Sequence, residues 1–379
     1  MSCNRQWLNR TLNRPLAHLK LTCRLPLIAL RRRLGWPSVL PYKMALSVTN
    51  QCNSRCRMCM VWKTYLEQPE LLERELSAAE WEAVFRSSGH SLFWLAITGG
   101  EPFLRPDLVE IIRAAITNAE NLLVVSIVTN GLATKKILSD VKQIVSLATD
   151  VQFYVVVSID GEGEKHDRIR NVPGAYNRAV ATFHGLRQIE QRCQNLHPRV
   201  ETTISSLNKD NIASFIRSQL IRQSKNAFVF AQEAERYGNQ GLGVQLAMQD
   251  WGKLYWSIGE LEARLPFHNL EALVQKLYYR LTQGFFADLD RQVLPCYASW
   301  ASVFVGAFGE VRPCIMFEPV GNLRDANWQL WPVLKGSAMR RVQRHIASDD
   351  CPNCWTPCEA MQTIFQNFPL ALLRAWGKP

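Results

Sequence analysis

Cys52-Asn-Ser-Arg-Cys56-Arg-Met-Cys59 follows the apolar run Met44 to Val48, and its reading decides the fold. Three thiolates in one loop at the end of an expected strand can be gathered on one side of a metal cluster. A fully ligated cubane cluster takes four Cys. Three leave one iron open, the iron-sulfur counterpart of a catalytic zinc with a free position. A zinc knuckle or ordinary buried Cys would give the same triad taken alone. The next loop narrows the choice, because Ile97-Thr98-Gly99-Gly100-Glu101-Pro102 closes a second apolar run. Its glycines let backbone approach a ligand, and its carboxylate can bind a cation.

Working outward, six apolar, β-branched runs recur, each followed by helical pattern: Met44 to Val48, Leu92 to Thr98, Leu123 to Thr129, Val151 to Ile159, Val200 to Ser205 and Phe228 to Phe230. Alternating strands and helices imply a parallel sheet. Ser77 reads as the N-cap of the Glu80 to Phe85 segment, and Pro106 as the start of a helix running to about Ala119. After Gly238 the pattern turns to amphipathic helix, Asp250 to Leu265 and Leu270 to Phe285. The expected fold is α/β, a partial (β/α)6 TIM-like barrel with a C-terminal Cys-rich module. Expected boundaries are 1–42 for a basic arm, 43–285 for the barrel and its closing helices, 286–362 for the module and 363–379 for a tail.

The Cys loop and the Gly-Gly-Glu-Pro strand end together resemble the radical S-adenosylmethionine (radical SAM) superfamily. The resemblance implies that Cys52, Cys56 and Cys59 bind a catalytic 4Fe-4S cluster whose unique iron is chelated by S-adenosylmethionine. It implies that Glu101 and the Gly99-Gly100 backbone hold the methionine ammonium. Reductive cleavage would then give a 5′-deoxyadenosyl radical that abstracts a substrate hydrogen, with ferredoxin or flavodoxin as electron donor. Asn130 follows strand three, and Ser158 and Asp160 follow strand four, where family side chains meet the ribose hydroxyls or the carboxylate of S-adenosylmethionine. His166-Asp167-Arg168-Ile169-Arg170 resembles the family's His-Asp-x-x-Arg segment and makes Arg170 a candidate carboxylate clamp. Asn208, Glu233, Glu235 and Arg236 complete a ring of polar strand ends. Met58 departs from the family, which usually carries an aromatic residue there against the adenine; Met is apolar and flexible enough to replace it.

Cys296 is followed by Gly309 and Cys314, and then by Cys351-Pro-Asn-Cys354-Trp-Thr-Pro-Cys358. This spacing resembles the SPASM and twitch auxiliary-cluster modules. Cys296, Cys314, Cys351 and Cys354 suffice for one auxiliary 4Fe-4S cluster, with Cys358 a spare or an alternative ligand. A four-Cys zinc site is the other reading. Cys3, Cys23 and Cys193 read as plain thiols.

The net charge is +11, with 44 Lys and Arg against 33 Asp and Glu. It is unevenly placed: residues 1–42 hold seven Arg and one Lys, and no Asp or Glu. Leu8, Leu12, Leu16, Leu19, Ile28 and Leu34, with Trp7 and Trp36, make this stretch amphipathic, with Pro15 and Pro26 expected to interrupt any helix. It reads as a face packed on the barrel or as a peripheral membrane contact; nucleic acid is disfavoured. Without a spanning run or signal peptide, a cytoplasmic enzyme is expected. The substrate is expected to be a ribosomally made peptide, with a lipid-linked, sugar or other small molecule as the alternative. A non-enzymatic metal-binding protein with a basic arm is the alternative of another class.

Overall fold

The computed structural model describes residues 14–37, 39–267, 269–288, 291–352 and 354–376. Six strands lie parallel in chain order: β1 (Lys43–Ser47), β2 (Trp94–Thr98), β3 (Val124–Thr129), β4 (Gln152–Ser158), β5 (Leu196–Ile204) and β6 (Asn226–Phe230). Their side chains alternate. Met44, Leu46, Leu95, Ile97, Val125, Ile127, Phe153, Val155 and Val200 are fully buried in the main core, each contributing about 1.5–3 kcal/mol through burial. The intervening Trp94, Ala96, Ser126, Tyr154 and Glu201 stay half-buried, as they would on the wall of an open lumen. Contacts across strands on that face agree: Trp94 Nε1 donates to Ser126 Oγ at 3.1 Å, Lys43 Nζ lies over the Trp94 ring, and Arg199 over Tyr154.

Outer helices include α1 (Pro15–Arg33), α2 (Ala78–Ser88), α3 (Leu108–Asn118), α4 (Thr134–Ser146), α5 (Ala175–Glu190), α6 (Met248–Ala263) and α7 (Leu270–Ala287). The expected cap of α2 forms reciprocally: Ser77 Oγ accepts the Glu80 N–H, and Glu80 Oε2 accepts the Ser77 N–H at 2.8 Å. The C-terminal segment continues with α8 (Ser337–Ala347), α9 (Pro357–Gln366) and α10 (Phe368–Trp376), so residues expected as a tail are helical through Trp376.

The Cys-rich segment is joined to the barrel by sheet pairing. Strand β7 (Ser302–Val305) pairs parallel with β1, and β8 (Glu310–Arg312) and β9 (Gly321–Asn322) add antiparallel to give one nine-stranded sheet. Gly309, at φ +87°, turns the β7–β8 hairpin, a conformation that costs glycine little.

Helix α1 corrects the expectation that Pro26 breaks the arm. Pro15 occupies the first turn, where its missing N–H costs nothing, and Pro26 sits inside a continuous helix. Docking offsets the lost hydrogen bond. Arg24 donates to the Leu40 carbonyl, Arg31 Nη1 to Pro37 O at 2.9 Å and Arg32 Nε to Cys296 O at 2.7 Å, while Ile28 is fully buried beside Trp300 and Cys314. These arginines therefore face the protein. Trp7, Leu8, Leu12 and Cys3 lie outside the described residues; Cys23 is exposed and Cys193 half-buried.

Candidate active site

The Cys loop leaves the C-terminal end of β1, where barrel enzymes place their chemistry. It is held by backbone on several sides. Gly100 N–H donates to Thr49 O and Glu101 N–H to Gln51 O, both at 2.7 Å, and Arg55 and Arg57 N–H donate to Arg170 O and Ile169 O. A Cβ on Gly99 would lie 2.3 Å from Thr49 O, and one on Gly100 2.2 Å from Gln51 O, so these glycines let two loops pack backbone to backbone. Cys52, Cys56 and Cys59 are free thiols. Burial, then the charge of neighbouring Cys56, pushes Cys52 up to about 12 and Cys59 up to about 11. Ser54 Oγ lies 3.1 Å from Cys56 Sγ.

The polar strand ends converge on this loop. Glu101 is fully buried and accepts the Asn130 N–H at 2.7 Å, the Thr129 hydroxyl at 2.9 Å and the Phe103 N–H at 3.2 Å. Burial still lifts its carboxyl to about 7 against those three bonds. Asn130 Nδ2 reaches Cys52 Sγ at 3.8 Å and Asn53 Oδ1 at 2.8 Å. Asp160, likewise without exposure, accepts Arg170 Nε at 2.7 Å and the Thr203 N–H at 2.9 Å, and its carbonyl accepts Asn208 Nδ2. Arg170 is thereby aimed at the loop, with Nη1 at 3.7 Å from Cys56 Sγ. His166 Nδ1 accepts the Asp160 N–H at 3.0 Å, and burial drops its pKa to about 4, so the ring is neutral. Ser158 sits at the end of β4, in register with Glu201 of β5.

Met58 packs with Ile169, Ala231, Val244 and Leu207 into a small apolar cluster that includes Cys56 and Cys59. Beside it opens a cleft of about 320 Å³, lined by Asp160, Ile169, Leu207 and Asn208 together with Arg57 and Arg168. Glu233 is spent on its own loop, accepting the N–H groups of Gly241 and Val244 at 2.8 Å. Glu235 pairs with Arg312 at 2.6 Å. Arg236 turns inward, donating to Ser47 Oγ at 2.6 Å and stacking over Phe304.

A second set of thiols lies in the C-terminal segment. Cys296, Cys314, Cys351 and Cys354 line one internal cavity with Met316, Phe317 and Glu359. Burial raises Cys354 to about 12 and Cys314 well above the ordinary thiol range. Among the described residues no three His, Cys, Asp or Glu converge as a single-ion site; these thiols are spread around a space instead. Cys358 is outside that lining and is exposed. Although the residue is exposed, the protein packed around its thiol raises its pKa, with Lys43 opposing the rise and Glu359 and Glu201 adding to it. Lys43 Nζ donates to Cys358 O and, at 2.9 Å, to Gln362 Oε1, whose amide also meets Glu359. Burial, then Asp160, raises Glu201 to about 7.

Sequence reading missed Glu201, Lys43 and Glu359; a charge in the alternation of β1 and β5 was the available signal for the first two. It also missed Glu75, which accepts Thr49 Oγ1 at 2.6 Å and the Asn50 N–H at 2.9 Å and pairs with Arg105 beneath the Cys loop. Nothing local in the sequence marks that pairing.

Comparison with known proteins agrees with this geometry. The radical SAM superfamily model matches residues 46–202, and the SPASM iron-sulfur cluster-binding domain model matches residues 296–355. The chain is 34% identical over 312 residues to the AdoMet-dependent heme synthase of Methanosarcina barkeri, covering 77% of this chain and 82% of that one. It is 27% identical over 323 residues to the sporulation killing factor maturation protein SkfB of Bacillus subtilis, covering 83% and 69%. Streptococcus suis SuiB bound to S-adenosylmethionine shares the fold at TM-score 0.55 and 13% identity, over 90% of this chain and 76% of that one. Native anSMEcpe with bound AdoMet and Cp18Cys peptide does so at TM-score 0.56 and 14% identity, over 88% and 99%. Enzymes of this kind work with a 4Fe-4S cluster, S-adenosylmethionine, a reductant and an auxiliary iron-sulfur centre. The chain belongs to the radical SAM superfamily and is a radical SAM enzyme with a C-terminal SPASM iron-sulfur cluster-binding domain.

Proposed function

We propose that the enzyme abstracts a hydrogen from a ribosomally made peptide held in the barrel lumen. Cys52, Cys56 and Cys59 would hold the catalytic cluster, and Gly99, Gly100, Glu101, Asn130, Ser158, Asp160 and Arg170 the S-adenosylmethionine site. When bound and reduced, that pair supplies a 5′-deoxyadenosyl radical. The protein's part is positioning. Arg170, fixed through Nε on Asp160, presents its remaining guanidinium edge to a carboxylate. Glu101 acts through the strand ends it joins, and the Met58 cluster offers an apolar face for adenine. Cys296, Cys314, Cys351 and Cys354 would hold the auxiliary cluster, leaving Cys358 on the lumen wall.

The observation that carries this reading is a polar group linking the two Cys-bearing segments: Tyr237 lies among the charges of Cys358, Cys59 and Glu201. Two relatives support the peptide. SkfB is described as a maturation protein of a killing factor, and SuiB has been solved bound to the precursor peptide SuiA. A second reading, a small metabolite, is favoured by the 34% identity to a heme synthase. The test is anaerobic reconstitution with S-adenosylmethionine and either reduced flavodoxin or dithionite, followed by short peptides encoded beside the gene. Peptide-stimulated 5′-deoxyadenosine with a mass change on the peptide supports the first reading. Stimulation only by a tetrapyrrole or other metabolite supports the second, and no 5′-deoxyadenosine at all sinks both.

A further inference from the structure

Helix α1 turns Arg24, Arg31 and Arg32 inward and presents a row of its leucines outward. Leu16, Leu19, Leu27, Leu30 and Leu34, followed by Trp36, are each 43 to 70% exposed, six of the seventeen strongly exposed large apolar side chains among the described residues. At about 100° per residue, the five Leu and the exposed Cys23 fall on one stripe, opposite buried Ala17 and Ile28, along a helix roughly 28 Å long. The inward face is already packed, with Arg24, Arg31 and Arg32 donating to carbonyls and Ile28 in the core around Trp300. A soluble surface rarely keeps such a row without a use.

Charge selects the occupant. Residues 1–42 contain eight Lys and Arg and no carboxylate. Exposed Lys20 flanks the stripe on one side and exposed Arg33 on the other, and Trp36 closes it at the helix end, its ring under the inward-turned Arg31. Lys20 is partly neutralised by Glu120. An apolar stripe edged by cations and ending in Trp fits the headgroup and acyl boundary of an anionic bilayer. We propose that α1 is a membrane-surface docking helix whose leucines make the contact, Arg32 fastening it to the enzyme and Arg24 and Arg31 to the segment that leads from the helix into β1. Because Arg32 holds the Cys296 carbonyl and stacks on Tyr297 and Trp300, docking would set the auxiliary-cluster side of the enzyme against the lipid.

Flotation of the full-length protein with vesicles tests this, using phosphatidylcholine alone and phosphatidylcholine mixed with phosphatidylglycerol. The expected result is flotation with the anionic vesicles, reduced about tenfold or more by Leu19→Gln/Leu27→Gln/Leu30→Gln/Leu34→Gln and weakened by salt. That variant should keep the wild-type melting temperature, since all four side chains point away from the fold. If it does not, Leu19→Gln/Leu30→Gln is the variant to read. Wild type that stays unbound at low salt overturns the proposal, as does a folded Leu variant that floats like wild type. A solution dimer that the Leu substitutions convert to monomer would assign the stripe to a second copy instead.

Discussion

The carboxylate of Glu101, at the end of β2, accepts the backbone N–H of Asn130, at the end of β3, at 2.7 Å. The carboxylate of the Gly-Gly-Glu-Pro motif is thus spent on joining two strand ends, one of which carries the Asn that touches Cys52. Glu101→Ala would orphan the N–H groups of Asn130 and Phe103 and the Thr129 hydroxyl. At about 1–3 kcal/mol for each buried group left unsatisfied, urea unfolding should show a loss of several kcal/mol, and S-adenosylmethionine affinity should fall with it. Unchanged stability would mean that water replaces the carboxylate.

The same residue predicts a pH dependence. Burial raises the Glu101 carboxyl from 4.5 to about 7. Its folded pKa therefore lies above the unfolded one, so its stabilising contribution is complete below about 4.5 and is lost as pH climbs to about 7. At 1.36 kcal/mol per unit, this is on the order of 3 kcal/mol. Cluster-free protein should unfold at lower urea at pH 7.5 than at pH 5. Glu201 and Glu359, raised in the same direction, add to the slope, while His166, lowered to about 4, opposes it below about pH 6.5. The Glu101→Gln protein should show a flatter profile, and an identical slope would assign the effect to the other two.

Gly100→Ala examines the close approach of the two loops. The new Cβ would stand 2.2 Å from Gln51 O, a backbone atom that moves only with the Cys loop. Overpacking of this kind costs about 1–3 kcal/mol. The reconstituted variant should hold less iron and melt lower than wild type. Full iron content at the wild-type melting temperature would show that the loop shifts freely.

The strands were legible as short apolar, β-branched runs followed by helical pattern, as in Leu92 to Thr98 and Leu123 to Thr129, and β2 to β4 alternate buried and half-buried residues, as in Leu95 and Ile97 against Trp94 and Ala96. The site was legible where spacing carries chemistry, in the two Cys sets and the strand-end Asn, Ser, Asp and Arg. Three features were not. Pairing of β7 with β1 joins residues far apart in sequence through a four-residue strand with no period to read. The continuity of α1 through Pro26 depends on tertiary hydrogen bonds to Leu40 and Cys296, which local propensity does not encode. Glu101 and Asp160 read as ligand contacts by type and position, and what the sequence does not carry is that each carboxylate also accepts protein donors, the Asn130 N–H and Arg170 Nε among them.

Arg170→Met would leave the Asp160 carboxylate buried without its cation. Asp160 is wholly enclosed, and Arg170 is its ion-pair partner at 2.7 Å. Removing one member of a buried pair costs about 3–5 kcal/mol, and the urea midpoint should fall accordingly. Arg170→Met/Asp160→Asn should recover much of that stability without recovering S-adenosylmethionine affinity. If the double variant binds like wild type, Arg170 has no part in the ligand site.

Cys358 separates two readings of the C-terminal thiols. It follows Cys354 closely in sequence, as a cluster ligand would, yet it is exposed and does not line the cavity shared by Cys296, Cys314, Cys351 and Cys354. Its strongest charged neighbours are Lys43, Glu359 and Glu201, which belong to the lumen side. Anaerobically reconstituted wild type should carry about eight irons per chain, the content of two cubane clusters. Cys358→Ala should keep all of them, whereas Cys354→Ala should fall toward about four. Iodoacetamide offers a check without substitution. In the loaded protein Cys358 should be carboxamidomethylated while the four cavity thiols are protected, and mass spectrometry of the peptide spanning Cys351 to Cys358 distinguishes them. Loss of iron in Cys358→Ala, with protection of Cys358 from the reagent, would make it an auxiliary ligand and require the α9 start at Pro357 to turn toward the cavity on loading.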